Sequence, residues 1–464
     1  MTTHQPAATP VVETIETPSL GDRSYLAHDG SVALVIDPQR DIDRVLAVAQ
    51  EAGVRITHVF ETHIHNDYVT GGLALAEATG ARYHVNAQDE VAFDRVPVED
   101  GEVVRISPRM RVRVLATPGR TFTHLSYALE SRDSAADEFT AVGVFTGGSL
   151  LFGATGRPDL LGAEHTDALV HHQFASAQRL AQELPDEAEV LPTHGFSPFC
   201  SSGSTGGADE STIGRERSVN PVLTQAEERW VADTLAGLDV HPAYYVHMAP
   251  TNSAGPAAPD LELPEQADRD TLARRVADGE WVVDLRNRTA FAAGHVSGTL
   301  NFGLDGQFST YLGWLIPWGT PLTLLGESEE QVAQAQRELV RIGIDELAGA
   351  ATGGPEGWST TALGSFERAT FGDLAQVRHH RDIRVLDVRR ASEFDAEHVT
   401  DAVNVPLHEL LERIAEVPQG EVWVHCQSGY RASIAVSVLA AHGRHVVAVD
   451  DQFARAGEAG LTTS

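Results

Sequence analysis

The chain has 464 residues, 42% of them hydrophobic, which predicts two to four domains with their own cores. Its 66 acidic residues outnumber 34 basic ones, and with a net charge of −32 we expect neither nucleic acid nor a membrane as a partner. The two cysteines, Cys200 and Cys426, exclude a disulfide framework and favour the cytoplasm.

The N-terminal part of the chain, up to about residue 255, alternates short strands with helices and loops, as in an α/β fold. Several predicted strands end in a polar or glycine-rich turn, which is where α/β folds usually place their chemistry. One such turn, ETHIHNDYVTGG, sets His63, His65 and Asp67 at alternate positions. These side-chain types at this spacing indicate a metal site, although Tyr68 stands where a fourth ligand is expected.

A segment in the middle of the chain is repeated near its end. VVDLRNRTAFAAGHVSGTLNF begins at Val282 and VLDVRRASEFDAEHVTDAVNV begins at Val385, an offset of 103 residues (385 − 282). A period this long indicates two copies of one α/β domain rather than a solenoid. Stretches rich in proline, glycine and alanine precede each copy, and we therefore place three domains at residues 1–257, 258–357 and 358–464.

The last copy carries a cysteine directly after a buried strand, in VWVHCQSGYRASIAVSVLAAHG. The residues between Cys426 and Arg431 are Gln427, Ser428, Gly429 and Tyr430, and an apolar helix follows. Such a loop can direct backbone N–H groups at one centre, and the helix N-terminus adds its positive end. Both effects stabilise a thiolate, while Arg431 offers forked donors to an anion. Cys426 is therefore the predicted nucleophile.

This loop resembles the active site of the rhodanese family. The upstream stretch LDVRRASEFDAEHVTDAVNVP, with Asp387 and Arg389, resembles another part of that family, with Glu397 where glycine is usual. The resemblance implies a cysteine that accepts sulfane sulfur as a persulfide and passes it to a thiophilic acceptor. Related phosphatases have one more residue between cysteine and arginine, so the spacing from Cys426 to Arg431 favours sulfur transfer.

The middle copy lacks this chemistry. Its corresponding strand, PLTLL, leads into Gly326, Glu327 and Ser328, without a cysteine or an arginine. A domain without its nucleophile cannot use the same reaction. We therefore expect residues 258–357 to form an inactive rhodanese-like domain.

About the first 250 residues resemble the metallo-β-lactamase superfamily, and more closely its persulfide dioxygenase branch. The stretches TPGRTFTHLSY, TGRPDLLG, PTHGF and NPVLT carry this resemblance beside the His-x-His-x-Asp turn. It implies an αββα sandwich, followed here by two rhodanese-like α/β domains with parallel sheets. Of the metal-ligand positions it implies, four keep a ligand-type residue: His63, His65, Asp67 and His194. The other three hold Tyr68, Arg120 and Gly148.

For the persulfide dioxygenases the resemblance implies one iron, held at the positions of His63, Arg120 and Gly148. Only His63 still offers a ligand there, so we expect no metal and no other cofactor. We expect Arg120 to fill the former metal position, within ion-pair distance of Asp67. Tyr68 would then be free to donate a hydrogen bond nearby.

Two ways of keeping a metal stay open. His63, His65 and His194 could hold Zn²⁺, because three ligands plus water form a catalytic zinc site. His124 could turn inward and supply a further ligand; its alternative is a hydrogen-bonded or surface histidine.

The sequence thus predicts a cytoplasmic protein that handles sulfane sulfur through Cys426. Its expected partners are small sulfur donors, namely thiosulfate or low-molecular-weight persulfides, and thiol acceptors. Three alternatives stay open: an active Fe(II) persulfide dioxygenase fused to rhodanese, a Zn-dependent hydrolase in the same arrangement, and a non-catalytic sulfur carrier or scaffold. A homodimer also stays open.

Overall fold

The computed structural model describes residues 9–132, 138–196 and 209–463, so Cys200 lies outside the described residues. The chain divides into two compact units, Met1–Pro259 with Val340–Gly343 and Asp260–Leu339 with Ile344–Ser464. The last copy and most of the middle copy fall in the second unit, whereas Val340–Gly343 of the middle copy belong to the first. The division between the two copies at residue 357 stays a prediction. Among the described residues, no helix is both long and apolar enough to cross a membrane.

The first unit contains two sheets. The first sheet has the strand order β1-β2-β3-β4-β5-β6, antiparallel up to β3 and parallel beyond it. Its strands are β1 Val11–Thr17, β2 Asp22–His28, β3 Val32–Ile36, β4 Arg55–Phe60, β5 Arg82–Asn86 and β6 Val96–Val98. The second sheet has the order β11-β10-β9-β8-β7, and only β10 and β11 run parallel. Its strands are β7 Val103–Arg105, β8 Met110–Ala116, β9 Leu125–Ser131, β10 Thr140–Gly147 and β11 Glu189–Pro192.

Alternation along the strands explains why these two sheets face each other. In β3, Leu34 and Ile36 join a core shared with Tyr127 and Phe145 of the second sheet. Val35, between them in sequence, points to the opposite face and packs under α1 and α2. Removing apolar surface from water stabilises such layers by about 25 cal/mol per Å².

Helices cover both outer faces of this pair of sheets. α1 and α2 cover the first sheet, and α3 and α6 cover the second, which confirms the predicted αββα sandwich. The helices of this unit are α1 Asp43–Ala52, α2 Gly72–Thr79, α3 Ala163–Glu183, α4 Ile213–Val219, α5 Pro221–Thr224, α6 Glu227–Gly237 and α7 Tyr245–Ala254. α1 ends at Gly53, whose φ of 66° is the left-handed conformation that glycine adopts without strain.

The second unit has two main sheets in which every neighbouring pair of strands is parallel. Their strand orders are β13-β12-β14-β15 and β16-β21-β20-β17-β19. These strands are β12 Trp281–Asp284, β13 Leu300–Asn301, β14 Leu322–Gly326, β15 Leu347–Thr352, β16 Glu367–Ala369, β17 Ile383–Asp387, β19 Val403–Asn404, β20 Glu421–His425 and β21 His445–Val449. A short antiparallel pair, β18 His398–Val399 and β22 Thr462–Thr463, lies beside them. The expected parallel rhodanese-like sheets are confirmed.

Helices connect these parallel strands. They are α8 Arg269–Ala277, α9 Arg288–Ala293, α10 Phe308–Leu315, α11 Glu329–Arg341, α12 Pro355–Trp358, α13 Phe371–Val377, α14 Ala391–Ala396, α15 Tyr430–Ala441 and α16 Ala454–Glu458, with 3₁₀ turns at Leu407–Glu409 and Ile414–Glu416. α13 begins with a capping box, in which the Thr370 hydroxyl accepts from the Asp373 N–H and the Asp373 carboxylate accepts from the Thr370 N–H.

The residues that repeat between the two copies hold the same turn in each. Arg286 donates hydrogen bonds through Nε and Nη2 to the carboxylate of Asp284, and Arg389 donates to Asp387 in the same way. All four residues are buried, and each arginine also donates to a carbonyl eight residues further on. The aspartate–arginine motif therefore stabilises the end of β12 in the middle copy, which has no cysteine, and the end of β17 in the last copy.

We expect Asp284→Ala and Asp387→Ala to lower the free energy of unfolding by similar amounts, about 3–5 kcal/mol each. Each substitution leaves a buried guanidinium without its carboxylate. Urea unfolding followed by circular dichroism measures both values. Asp382→Ala is the control, because Asp382 is 86% exposed and pairs with Arg384 at the surface. A large loss for Asp387→Ala alone would show that the two motifs differ in role.

Candidate functional sites

The buried histidines of the first unit gather where strands end. His63, His65 and Asp67 follow β4 and His194 follows β11, and all four side chains are buried. Three sets of ligand-type groups have atoms within 4.8 Å of one another: His63, His65 and His194; Asp22, Asp67 and His194; and Asp37, Glu61 and His65. The described residues thus contain histidine and aspartate clusters of the kind that bind metal ions.

Arg120 lies inside this cluster. Its side chain is fully buried, its Nε donates to His63 Nε2 at 3.2 Å, and its Nη2 forms an ion pair with Asp67. The ion pair expected from the sequence is therefore present. Burial and the nearby positive charges of His65 and Arg120 hold the pKa of His63 well below its usual range. His63 is thus a neutral acceptor whose Nε2 is already used by a guanidinium.

Gly148 and Arg120 are sterically linked. A Cβ atom added at Gly148 would lie 2.3 Å from Cδ of Arg120, far inside contact distance. An aspartate at position 148 and an arginine at position 120 therefore compete for the same space. Gly148 thus leaves the space that Arg120 fills, and Arg120 in its present position is incompatible with the aspartate that the pattern has at position 148.

His65 has acidic and hydroxyl partners. Its Nε2 lies 3.1 Å from Glu61 Oε2, 3.3 Å from Asp37 Oδ1 and 3.0 Å from the Tyr68 hydroxyl. Burial disfavours the imidazolium, but Asp37 and Glu61 outweigh it and raise the pKa of His65 to about 10. A protonated imidazole nitrogen has no lone pair for a metal. Tyr68 donates to the Asp37 carbonyl at 3.4 Å, as the sequence led us to expect.

The two remaining histidines differ in their partners. His194 Nδ1 lies 2.9 Å from Asp22 Oδ1 and 3.2 Å from Asp67 Oδ2. His124 points inward, where its Nε2 accepts the Gly148 N–H at 3.0 Å and its Nδ1 lies 3.0 Å from the Thr117 hydroxyl. Burial lowers the pKa of His124 to about 3. His124 is thus a hydrogen-bonded histidine that supports the turn at Gly148.

The residues present do not fit the iron of a persulfide dioxygenase. Such a centre needs two histidines and a carboxylate facing open coordination positions. Here the arginine guanidinium contacts His63 and Asp67, and no carboxylate can start from position 148. A metal ion at His63 would meet a permanent positive charge about 3–4 Å away, which repels it strongly inside a protein.

Sequence reasoning missed the acidic residues that organise this cluster. Asp37 directly follows β3 with a φ of 48°, and it accepts from the Thr62 N–H and hydroxyl, at 2.7 Å each, and from Thr193. These donors and His65 overcome burial and lower the pKa of Asp37. A polar residue at the end of an apolar strand, here VALVID, is the signal that could have identified it.

The second site is the cysteine loop, residues 426–431. Cys426 follows β20 and is buried, and the Gly429 N–H donates to its Sγ at 3.1 Å. Gly429 has a φ of 94°, a conformation that suits glycine, and α15 begins at the next residue. Gln427 is exposed and Ser428 is half-buried. The strand, loop and helix are thus arranged as predicted, with one backbone N–H directed at the sulfur.

Arg431 is not directed at an empty anion pocket. Its Nη1 and Nη2 donate to the two carboxylate oxygens of Glu393 at 2.7 and 2.8 Å. Burial opposes the charged form of Glu393, but Arg431 outweighs it and lowers the pKa of Glu393 to about 2. Sequence reasoning missed Glu393, which lies on α14, 38 residues before its partner. The role of Arg431 towards an anion stays a prediction.

Both parts of the chain match known families. The metallo-beta-lactamase superfamily matches residues 22–178, and the rhodanese-like domain matches residues 370–454. A hydroxyacylglutathione hydrolase from a Polaromonas species is 30% identical over 166 residues, which are 35% of this chain and 57% of that protein. The mitochondrial persulfide dioxygenase ETHE1 of Homo sapiens is 28% identical over 214 residues, 46% of this chain and 72% of that protein. This chain thus spans little more than half of the hydrolase.

A solved structure extends the likeness. The metallo-beta-lactamase from Staphylococcus aureus subsp. aureus COL is 26% identical, with a TM-score of 0.65, and the match covers 75% of this chain and 100% of that one. The protein therefore joins an N-terminal metallo-β-lactamase domain, which has persulfide dioxygenase homologues, to a C-terminal rhodanese-like domain.

Proposed function

We propose that this protein is a sulfurtransferase that carries sulfane sulfur as a persulfide on Cys426. The observation that carries the proposal is the Gly429 N–H, which donates to the Cys426 sulfur at 3.1 Å just before α15 begins. An N–H donor and a helix N-terminus both favour the thiolate, which is the nucleophilic form of cysteine. The match to the rhodanese-like domain family over residues 370–454 supports the same chemistry.

The proposed reaction is balanced with two small molecules. The Cys426 thiolate attacks the outer sulfur of thiosulfate, a new S–S bond forms, and sulfite leaves with the electron pair of the bond that breaks. A nucleophilic acceptor, either a thiolate or cyanide, then attacks the outer sulfur of the persulfide. The electron pair of that S–S bond returns to Cys426, which is again a thiolate. Low-molecular-weight persulfides can replace thiosulfate as donors. The proposal also places the protein in the cytoplasm.

The N-terminal domain, in this proposal, works without a metal. Its support is the fully buried Arg120, which contacts His63 and Asp67 and fills the space beside Gly148. An internal cation balances the buried carboxylates that a metal would otherwise balance. An iron-dependent persulfide dioxygenase and a zinc hydrolase are the competing functions, and both require a bound metal.

Cys426→Ser is expected to abolish thiocyanate formation from thiosulfate and cyanide. Serine nearly matches cysteine in size at this buried position but does not form a comparable nucleophile near neutral pH. Thiocyanate is measured by its ferric complex, and circular dichroism checks that the fold is unchanged. Cys200→Ser is the matched control and should retain activity. Turnover by Cys426→Ser would show that another group carries the sulfur.

Arg431→Ala and Glu393→Gln separate binding of the anion from packing of the loop. We expect Arg431→Ala to raise the KM for thiosulfate about tenfold, because it removes charge-assisted donors. Glu393→Gln keeps the guanidinium and removes the competing carboxylate, so the KM should stay equal or fall. Initial rates across a range of thiosulfate concentrations measure both. An equal rise in KM for both variants would mean that the ion pair only supports the loop.

The metal content of four proteins tests the N-terminal part of the proposal. We expect the wild type to contain less than about 0.1 equivalent of iron or zinc and to consume no oxygen with glutathione persulfide. Arg120→His alone should stay metal-free, because position 148 still lacks a carboxylate. Tyr68→His/Arg120→His/Gly148→Asp should bind metal, because it removes the guanidinium and supplies all three missing ligand types. Inductively coupled plasma emission after dialysis against each metal measures the stoichiometry.

Tyr68→His/Gly148→Asp is the control for this series, since it keeps Arg120. A Cβ at position 148 lies 2.3 Å from Arg120 Cδ in the present arrangement, so this variant should bind little metal. Stoichiometric metal in the wild type, together with oxygen uptake that depends on the persulfide, would contradict the proposal of a metal-free N-terminal domain. It would favour a persulfide dioxygenase instead.

A further inference from the structure

Tyr430 of the cysteine loop is held by the middle copy. Its hydroxyl donates to the carbonyl oxygen of Gly303 at 2.7 Å. Its ring lies directly on Gly306, because a Cβ added there would come within 2.4 Å of Tyr430 Cε2. Tyr430 immediately precedes Arg431 and follows Gly429, the residue whose N–H donates to the Cys426 sulfur. The main chain of the middle copy thus contacts both the ring and the hydroxyl of this side chain.

Gly429 itself lies under an ion pair to which the middle copy contributes. Arg288, at the start of α9, donates through Nε to Asp450 Oδ1 at 2.7 Å. A Cβ added at Gly429 would lie 2.1 Å from that carboxylate oxygen and 3.1 Å from Arg288 Nε. Asp450 is held from the other side by Arg368. The backbone N–H that faces the sulfur is therefore packed against a charged pair that bridges the two copies.

α15, the helix after the loop, is also hydrogen-bonded to the middle copy. Asn301, in β13, accepts from the Ser433 hydroxyl through Oδ1, and its backbone N–H donates to Ser437 Oγ at 2.9 Å. Ser433 and Ser437 lie in the first two turns of α15. The three contacts at Tyr430, Ser433 and Ser437 follow one face of the helix, with spacings of three and four residues.

Tyr311 of α10 lies near Tyr430. Its ring lies 6.0 Å from that of Tyr430. Burial raises the pKa of Tyr311, Arg431 opposes this rise, and Cys426 adds to it. The middle copy therefore places an aromatic ring near that of Tyr430, in addition to the backbone that it presents to the loop.

We propose that the middle rhodanese-like copy is a positioning element for the Cys426 thiolate. It holds Tyr430 and Gly429 so that the Gly429 N–H points at the sulfur. Such a donor acts only within a few tenths of an ångström of its best position, so a small shift of the loop weakens it. This inference rests on the proposed sulfur transfer and gives a task in that reaction to the copy that has no cysteine.

Gly306→Ala tests this inference from outside the C-terminal copy. The new methyl group meets only the Tyr430 ring among its nearest neighbours, so it should displace the cysteine loop and little else. We expect alkylation of Cys426 by iodoacetamide at pH 7 to slow about tenfold. Peptide mass spectrometry counts alkylation at Cys426 separately from Cys200. Thiosulfate turnover should fall by a similar factor through kcat rather than KM.

Gly357→Ala is the matched control. It makes the same substitution in the middle copy, but a Cβ there meets nothing within 4 Å, so both the alkylation rate and turnover should equal those of the wild type. Tyr430→Phe is a second test, which keeps the ring and removes the hydrogen bond to Gly303. We expect it to slow alkylation about threefold. If circular dichroism shows that Gly306→Ala does not fold, the alkylation rate of Tyr430→Phe becomes the test of the positioning role.

Alkylation of Cys426 at the wild-type rate in Gly306→Ala would overturn the inference. Should Gly306→Ala fail to fold, a wild-type rate in Tyr430→Phe would overturn it in the same way. Alkylation needs no turnover, so it separates this inference from the proposed function. Slower alkylation in the variants, with no thiosulfate turnover even in the wild type, would support the positioning role and refute the sulfur transfer.

Discussion

Buried carboxylates at the strand ends of the first unit pair with positively charged side chains, and the ion pair between Arg120 and Asp67 is one of these pairs. Removing one partner of a buried pair typically costs about 3–5 kcal/mol, a large part of the about 5–15 kcal/mol that stabilises a typical domain. His65, protonated between Asp37 and Glu61, supplies the second positive charge. The αββα sandwich can therefore keep its loops in place by means of its own side chains. The substitution at Arg120 also requires a small residue at position 148, which explains why the two changes occur together.

The sequence was informative wherever one local pattern determines the structure. The His-x-His-x-Asp turn follows a strand, Arg120 follows another, and a side chain as long as arginine can reach the vacant position between them. The partners that were missed lie far apart in sequence: Thr193 is 156 residues from Asp37, and Glu393 is 38 residues from Arg431. A single threonine or glutamate is common on protein surfaces, so nothing in the sequence marks Thr193 or Glu393 as a partner in either site. Only the fold brings them to the site.

A comparison of the two copies distinguishes the residues that stabilise the fold, which both copies have, from the cysteine loop, which only the last copy has. Both copies contain the aspartate–arginine ion pair. In each copy an asparagine also donates to the backbone carbonyl of that arginine, Asn301 to Arg286 and Asn404 to Arg389. Those residues stabilise the end of a strand, so they persist whether or not a cysteine follows. Asn301 differs in one respect, because its Oδ1 and N–H also bind two serines of α15. The copy without a cysteine thus contacts α15, the helix that follows Cys426, through the same asparagine that supports its own strand end.

An arginine lies at each candidate site, and the surroundings of each arginine decide what it can do. Arg120 is completely buried and its partners are fixed, so neither a metal nor an anion can approach without breaking a buried ion pair. Arg431 is 13% exposed and Glu393 19%, and Glu393 occupies only two of the five N–H donors of the guanidinium. Solvent screening weakens a partly exposed pair, so an incoming anion can compete with the carboxylate. The guanidinium of Arg120 is therefore held by its buried partners, whereas that of Arg431 keeps N–H donors that Glu393 does not use. This difference favours Cys426 over the N-terminal histidine cluster as the site of the proposed chemistry.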